Sequence, residues 1–490
     1  IKPESAEAYQ ALGLANRLSF DLDAAAAAFA KGAEINPGSD AIKRNLAEMY
    51  RALGKPAEAE AIYRELLSVS PGDLAAKTGA ILALFDRGER AAAEIELSET
   101  LEANPNNVIL LAGAALWYAA NDDPEKAASY AEKAASLEPR YVWSHIALGR
   151  SRMRQNDPLA AERAFLAARR FGNFPTLEYE LAEARLSAGF YRDAAEGLAK
   201  TFSIVDGRIS TRLGGRILRE AGTFDELLSS ETRASVFTAL PEIMPETSGH
   251  IRALLEFSQL ISGAATNENM AEQAAAAADG FTAGTDKMKL HRQLYAASAL
   301  LERSIAPEKV LALTLEATGT VEQGLEIKQP SAAVMASELY ETRQIAFARD
   351  EFLKIPEIPR NTLSNILRGR IEELAGWALF RMEKYPESLV RLRRAITVLP
   401  EKSAWWRSTL WRLGSAYEAN GKPEEALDSY VKAYLDDKPS AIRYVIIESL
   451  YKKIKGNTDG LNDLIGPNPF PTVVSQIAAA PEDAPTSVTE

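Results

Sequence analysis

Pro3, Pro37, Pro71, Pro105 and Pro139 stand 34 residues apart. Proline has no backbone donor and clashes with the preceding helical turn, so each marks a break between helical segments. A fixed spacing of this length means one supersecondary unit used again and again, and it excludes most single-core globules.

Between the prolines the side chains repeat as well. The first unit, from Ala6 to about Ser39, carries Tyr9, Leu12, Gly13, Ala25, Phe29 and Gly32. The second carries Leu46, Ala47, Tyr50, Gly54, Ala59, Tyr63 and Leu66. Later units keep Leu84, Gly88, Ala93 and Leu97, then Leu111, Ala115, Tyr118 and Ala127, then Leu148, Gly149, Ala161 and Phe165. Apolar residues fall at helical spacing. Short turns such as Gly54-Lys55-Pro56 and Asn156-Asp157-Pro158 divide each unit into two helices, with proline in the first turn of the second.

This pattern resembles the tetratricopeptide repeat, a 34-residue helix–turn–helix. The resemblance implies an all-α, right-handed superhelical solenoid. Small residues at Gly13, Ala47, Ala115 and Gly149 would then allow close helix contact. The phase slips after Pro139, and Leu181, Ala182, Gly189, Ala194 and Leu198 form a sixth unit. From 202 to 358 the signature fades into irregular helical pairs, expected near Ile251–Ile261, Glu268–Ala278, Lys287–Arg303, Pro307–Thr318, Ala332–Thr342 and Ile345–Lys354. Clear units return with Gly376, Leu379, Leu392 and Ala395, then with Leu410, Gly414, Tyr417, Ala426 and Tyr430. The expected division is 1–201, 202–358, 359–465 with a capping helix near Ser440–Lys455, and a Pro-rich extended tail, 466–490.

Chemistry is sparse. There are no cysteines, so thiolate sites and disulfides are excluded. His145, His250 and His291 lie far apart and read as structural. Neither a phosphate-binding glycine loop nor a nucleophile elbow occurs. Acidic residues exceed basic ones, 68 to 56, which disfavours broad nucleic-acid binding. Arg391, Arg393 and Arg394 lack the aromatic partners of a base-stacking platform. No apolar run is long enough to span a bilayer. The expectation is therefore a non-enzymatic protein without metal, cofactor or nucleic acid.

In the resembled family the first helix of each pair lines a groove. Carried over by position, this makes Arg44, Arg51, Trp143, Arg150, Arg154, Tyr179, Trp377, Arg381 and Trp411 the candidate groove residues. Trp143 with Arg150 and Arg154 places an aromatic beside two cations, a common interface anchor. The Lys/Asn carboxylate clamp of some family members is not matched, since only Asn45 fits and Gln10 and Leu14 do not. The implied partners are proteins or peptides, with the chain a subunit of a larger assembly. The stretch from Leu450 to Leu461, before a Pro-rich linker, resembles a junction in bacterial exported proteins where repeats precede a thioredoxin-like domain, and this suggests the periplasm. A recruiting module of a larger enzyme and a small-ligand sensor are the rival readings.

Overall fold

A computed structural model describes residues 5–19, 21–121, 123–172, 175–211, 219–228, 245–264, 268–349, 351–435, 437 and 440–468. Beyond Asn468, the expected Pro-rich tail lies outside the described residues.

The 34-residue period folds into helical hairpins. They are α1 (Ala6–Leu18) with α2 (Leu22–Ile35), α3 (Asp40–Ala52) with α4 (Pro56–Val69), and α5 (Leu74–Asp86) with α6 (Arg90–Ala103). Then follow α7 (Val108–Ala120) with α8 (Pro124–Leu137), α9 (Val142–Arg154) with α10 (Pro158–Phe171), and α11 (Pro175–Ala188) with α12 (Tyr191–Ala199). Local chemistry sets the boundaries. Ser5, Ser39, Asp73 and Asn107 accept from backbone N–H groups at the first-helix starts, satisfying donors that the helix itself leaves open. Pro56, Pro124 and Pro158 open second helices. The repeating prolines that follow lie two residues beyond the ends of α2, α4, α6 and α8.

Close approach within a hairpin is set by the small residues. A Cβ on Gly149 would sit 2.3 Å from the Phe165 ring, and one on Gly13 2.6 Å from Phe29. Alanine fills the seams between hairpins, with Ala114, Ala115, Ala127, Ala131, Ala147 and Ala161 in one continuous core with Leu110, Tyr118 and Phe165.

The middle departs from the helical expectation. Phe202–Val205 (β1), Arg208–Thr211 (β2) and Glu220–Ala221 (β3) form an antiparallel sheet in the order β1-β2-β3, with Phe202 opposite Thr211 and Ile209 opposite Ala221. Asp206 and Gly207, both at positive φ, make the two-residue turn. Asp-Gly between β-branched runs is a strong hairpin signal, and the helical reading of this stretch passed over it. Helices resume with α13 (Pro245–Gly263), α14 (Glu268–Thr282), α15 (Lys289–Glu302), α16 (Pro307–Thr318) and α17 (Val321–Gly324). The helical pair expected at 332–342 and 345–354 is one helix, α18 (Pro330–Ala348), and residues 351–359 form no regular element.

The last helices are α19 (Arg360–Arg381), α20 (Tyr385–Val398), α21 (Ala404–Ala419), α22 (Pro423–Tyr434), α23 (Ala441–Lys455) and the short α24 (Leu461–Ile465). Two compact units result: residues 1–296 with 326–357, and residues 297–325 with 358–490. The chain thus leaves the first unit, returns to it through α18, and leaves again.

Within the first unit, α18 is held by buried charge. Arg343 donates to Glu162 at 2.9 and 3.1 Å, lies 3.5 Å from Asp193, and stacks 3.4 Å from the Phe190 ring centre. Arg185 donates to the same Glu162 at 2.8 Å and to the Asp193 carbonyl at 3.1 Å. All four charged groups are buried. Burial raises the Asp193 pKa, which Arg343 and Arg185 oppose. Gln329 and Gln344 add bonds to Asp157 and Asp193 at 2.9 and 2.5 Å.

Candidate functional site

The first helices of successive hairpins touch through polar side chains. Arg17 pairs with Glu48 at 2.9 Å, Arg44 with Asp73 at 2.6 Å and Arg51 with Asp86 at 2.7 Å. Asn107 donates to Thr78 at 2.8 Å, and the Trp117 indole N–H donates to the Phe85 carbonyl at 2.8 Å. Arg150 grips Glu180 with two bonds, 2.8 and 2.9 Å. Several predicted groove residues are therefore rungs between repeats. Arg51 and Arg150 are buried, and Arg44 is half-buried. Their first task is to join neighbours, since a buried charge needs its partner.

The other predicted residues lie elsewhere. Arg154 is exposed. Trp143 is half-buried against the α7–α9 core. Tyr179 is buried, its ring 5.1 Å from Phe224. Trp377 stacks on Phe380 at 4.4 Å with Arg412 5.4 Å from its ring, and Trp411 packs on Tyr430 at 4.5 Å with Arg443 5.2 Å away. Both tryptophans are half-buried, and Arg381 is exposed.

Glu183, three residues from Glu180 on α11, has the most unusual carboxyl of this face. Burial pushes its pKa up to about 7, Glu180 adds to the rise, and Arg154 and Arg150 oppose it. A largely desolvated carboxylate beside two guanidiniums is suited to a partner's hydrogen-bond donor or cation.

Among the described residues one His/acid group has ligand atoms close enough for a metal: Glu246, His250 and Asp286 fall within 4.8 Å of one another. Glu246 and His250 stand four residues apart on α13, but Asp286 lies 36 residues further on, so spacing alone could not complete the group. Arg292 donates to both Asp286 oxygens, at 2.9 and 2.6 Å, and to the Ala283 carbonyl at 2.7 Å. That carbonyl also meets His250 Nε2 at 3.1 Å. Burial, then Arg292, lowers the His250 pKa. A cation from the chain itself therefore already serves Asp286. The group borders an open cleft of about 930 Å³ between α13, α14 and the β1–β2 turn, floored by Ala253, Ala276, Ala277 and Gly280.

Stacked helix hairpins with a 34-residue repeat, small residues at their crossings and polar rungs between first helices define a helical-repeat protein. Models of the tetratricopeptide repeat match residues 50–115 and, separately, residues 21–73 and 374–442. Over those stretches the chain carries tetratricopeptide repeats. No curated protein matches it. Solved structures with some likeness include the tetratricopeptide-repeat domain of P58(IPK), with 12% identity, 92% of this chain and 98% of that chain covered, and a TM-score of 0.34. A tetratricopeptide-repeat protein from Parabacteroides merdae gives 16% identity, 61% and 98% coverage, and 0.31. The Cut9–Hcn1 hetero-tetramer gives 12%, 92% and 91%, and 0.34. Among the described residues no helix is long and apolar enough to cross a membrane.

Proposed function

We propose that the chain is a non-enzymatic scaffold that binds proteins or peptides on the first-helix faces of its two repeat blocks, as a subunit of a larger assembly outside the bacterial cytoplasm. One observation supports this most directly. The first helices present Trp143, Arg154 and Glu183 in one block and Trp377, Arg381 and Trp411 in the other, each half-buried or exposed. Half-buried aromatics beside charges suit partner recognition, because the ring brings apolar area at little entropic cost and the charge sets orientation. Clustered ion pairs elsewhere keep the faces in fixed geometry, so little ordering is needed on binding.

Peptide display against the purified chain tests the reading. Enriched peptides should compete with one another, and Arg154→Glu or Arg381→Glu should weaken those bound to the corresponding face at least tenfold. A chain that selects no peptide, or whose selected peptides ignore both substitutions, would sink it.

A further inference from the structure

Helices α21 and α23 share one layout. Ser403 caps α21, accepting from Trp406 N–H at 3.2 Å, and Ser440 caps α23, accepting from Arg443 N–H at 3.4 Å. At equal distances from those caps, Leu410 and Leu413 of α21 and Ile447 and Leu450 of α23 are buried. In this register Trp405 and Thr409 correspond to Ile442 and Ile446. Trp405 and Thr409 are 5% and 0% exposed, whereas Ile442 and Ile446 are 75% and 37% exposed, with Val445 between them at 52%.

A flank that is buried on α21 is thus bare on α23, and it carries three β-branched aliphatics at i, i+3 and i+4, on one helix face. A helix flank left in solvent is ordinarily polar. Further along the same face come Ser449 and Lys453, and the last turn is basic, with Lys452, Lys453 and Lys455. Lys452 lies 3.3 Å from Glu448.

We infer that this flank of α23 docks an amphipathic α-helix of a partner protein, aliphatic along one stripe and acidic where it passes the lysine-rich turn. A helix fits because the flank continues the helix-on-helix stacking that builds this unit, where side-chain ridges enter grooves between neighbours. Acidic residues fit because three lysines end the helix. A second copy of this chain fits less well, since its own α23 would bring a lysine-rich turn and not acidic residues. The surface differs from the faces assigned above to peptide binding, so either assignment can fail without the other.

Fluorescence anisotropy with a labelled 18-residue helical peptide tests it. The probe has leucine at i, i+3, i+4 and i+7 and glutamate in its last two turns, and a control replaces glutamate by lysine. The full chain should bind the acidic probe. The double substitution Ile442→Asp with Val445→Asp should weaken binding by about a hundredfold or more, from the aliphatic area lost. The lysine probe should bind at least tenfold more weakly, and Lys453→Glu should narrow that gap. All three altered residues are exposed, so the thermal melt should stay that of the wild type. No binding, or binding indifferent to the double substitution, would overturn the inference. So would sedimentation as a dimer that Val445→Asp dissolves, which would assign the flank to a second copy.

Discussion

Arg343→Ala removes the guanidinium that joins α18 to the fifth and sixth hairpins. In the wild type it serves Glu162 and Asp193 and lies against Phe190, with 4% of its surface exposed. Truncation leaves Glu162 with Arg185 and Asp193 with Gln344. Removing one partner of a buried ion pair costs about 3–5 kcal/mol, because the remaining charge stays desolvated. Taking about 4 kcal/mol, the equilibrium between docked and undocked α18 should shift by roughly a thousandfold. The change is local, so hydrogen exchange reads it best. Amides of residues 334–348 should exchange up to about a thousand times faster, while those of α3 to α8 keep their wild-type protection. Arg343→Lys should recover only part of the loss, since an ammonium cannot grip Glu162 with a planar fork. Unchanged protection in α18 would refute the clamp. Uniform loosening of the whole unit would refute its local character.

Gly149→Ala should destabilise the fifth hairpin by about 1–3 kcal/mol through overpacking against Phe165, seen as an earlier denaturant midpoint. Gln259→Ala should expose the β1 edge, because the Gln259 amide accepts from Ile204 N–H at 2.9 Å and donates to its carbonyl at 2.8 Å; a cost of about 1–3 kcal/mol and more light scattering on heating are expected. Glu183 has a folded pKa of about 7, above its ordinary value of 4.5. Its contribution is therefore fully present below pH 4.5 and is lost as pH rises through 7, a loss on the order of 3 kcal/mol. Glu183→Gln should remove that slope, so denaturation at pH 5 and pH 8 should differ less in the variant than in the wild type.

How much was legible in advance follows from the range of each interaction. Proline breaks, capping serines and aspartates, and small residues opposite Phe29 and Phe165 act within one 34-residue unit, so order along the chain is enough to read them. The Asp206-Gly207 hairpin was equally local and legible; a helical reading of the middle simply passed over it. The candidate site residues lie on first helices, and what each touches there was not legible. Arg51 and Arg150 reach carboxylates 35 and 30 residues away, and no local pattern separates a rung from an open anchor.

The sequence by itself determined the repeated hairpin, its helix boundaries and the absence of cysteine chemistry, because these depend on backbone sterics and residue inventory. Only tertiary structure decided that α18 returns to the first unit, that Glu162, Arg185, Asp193 and Arg343 share one buried cluster, and that Glu183 titrates near neutrality. The physical reason is that desolvation and ion pairing depend on what packs against a group, and here those neighbours come from up to 181 residues away.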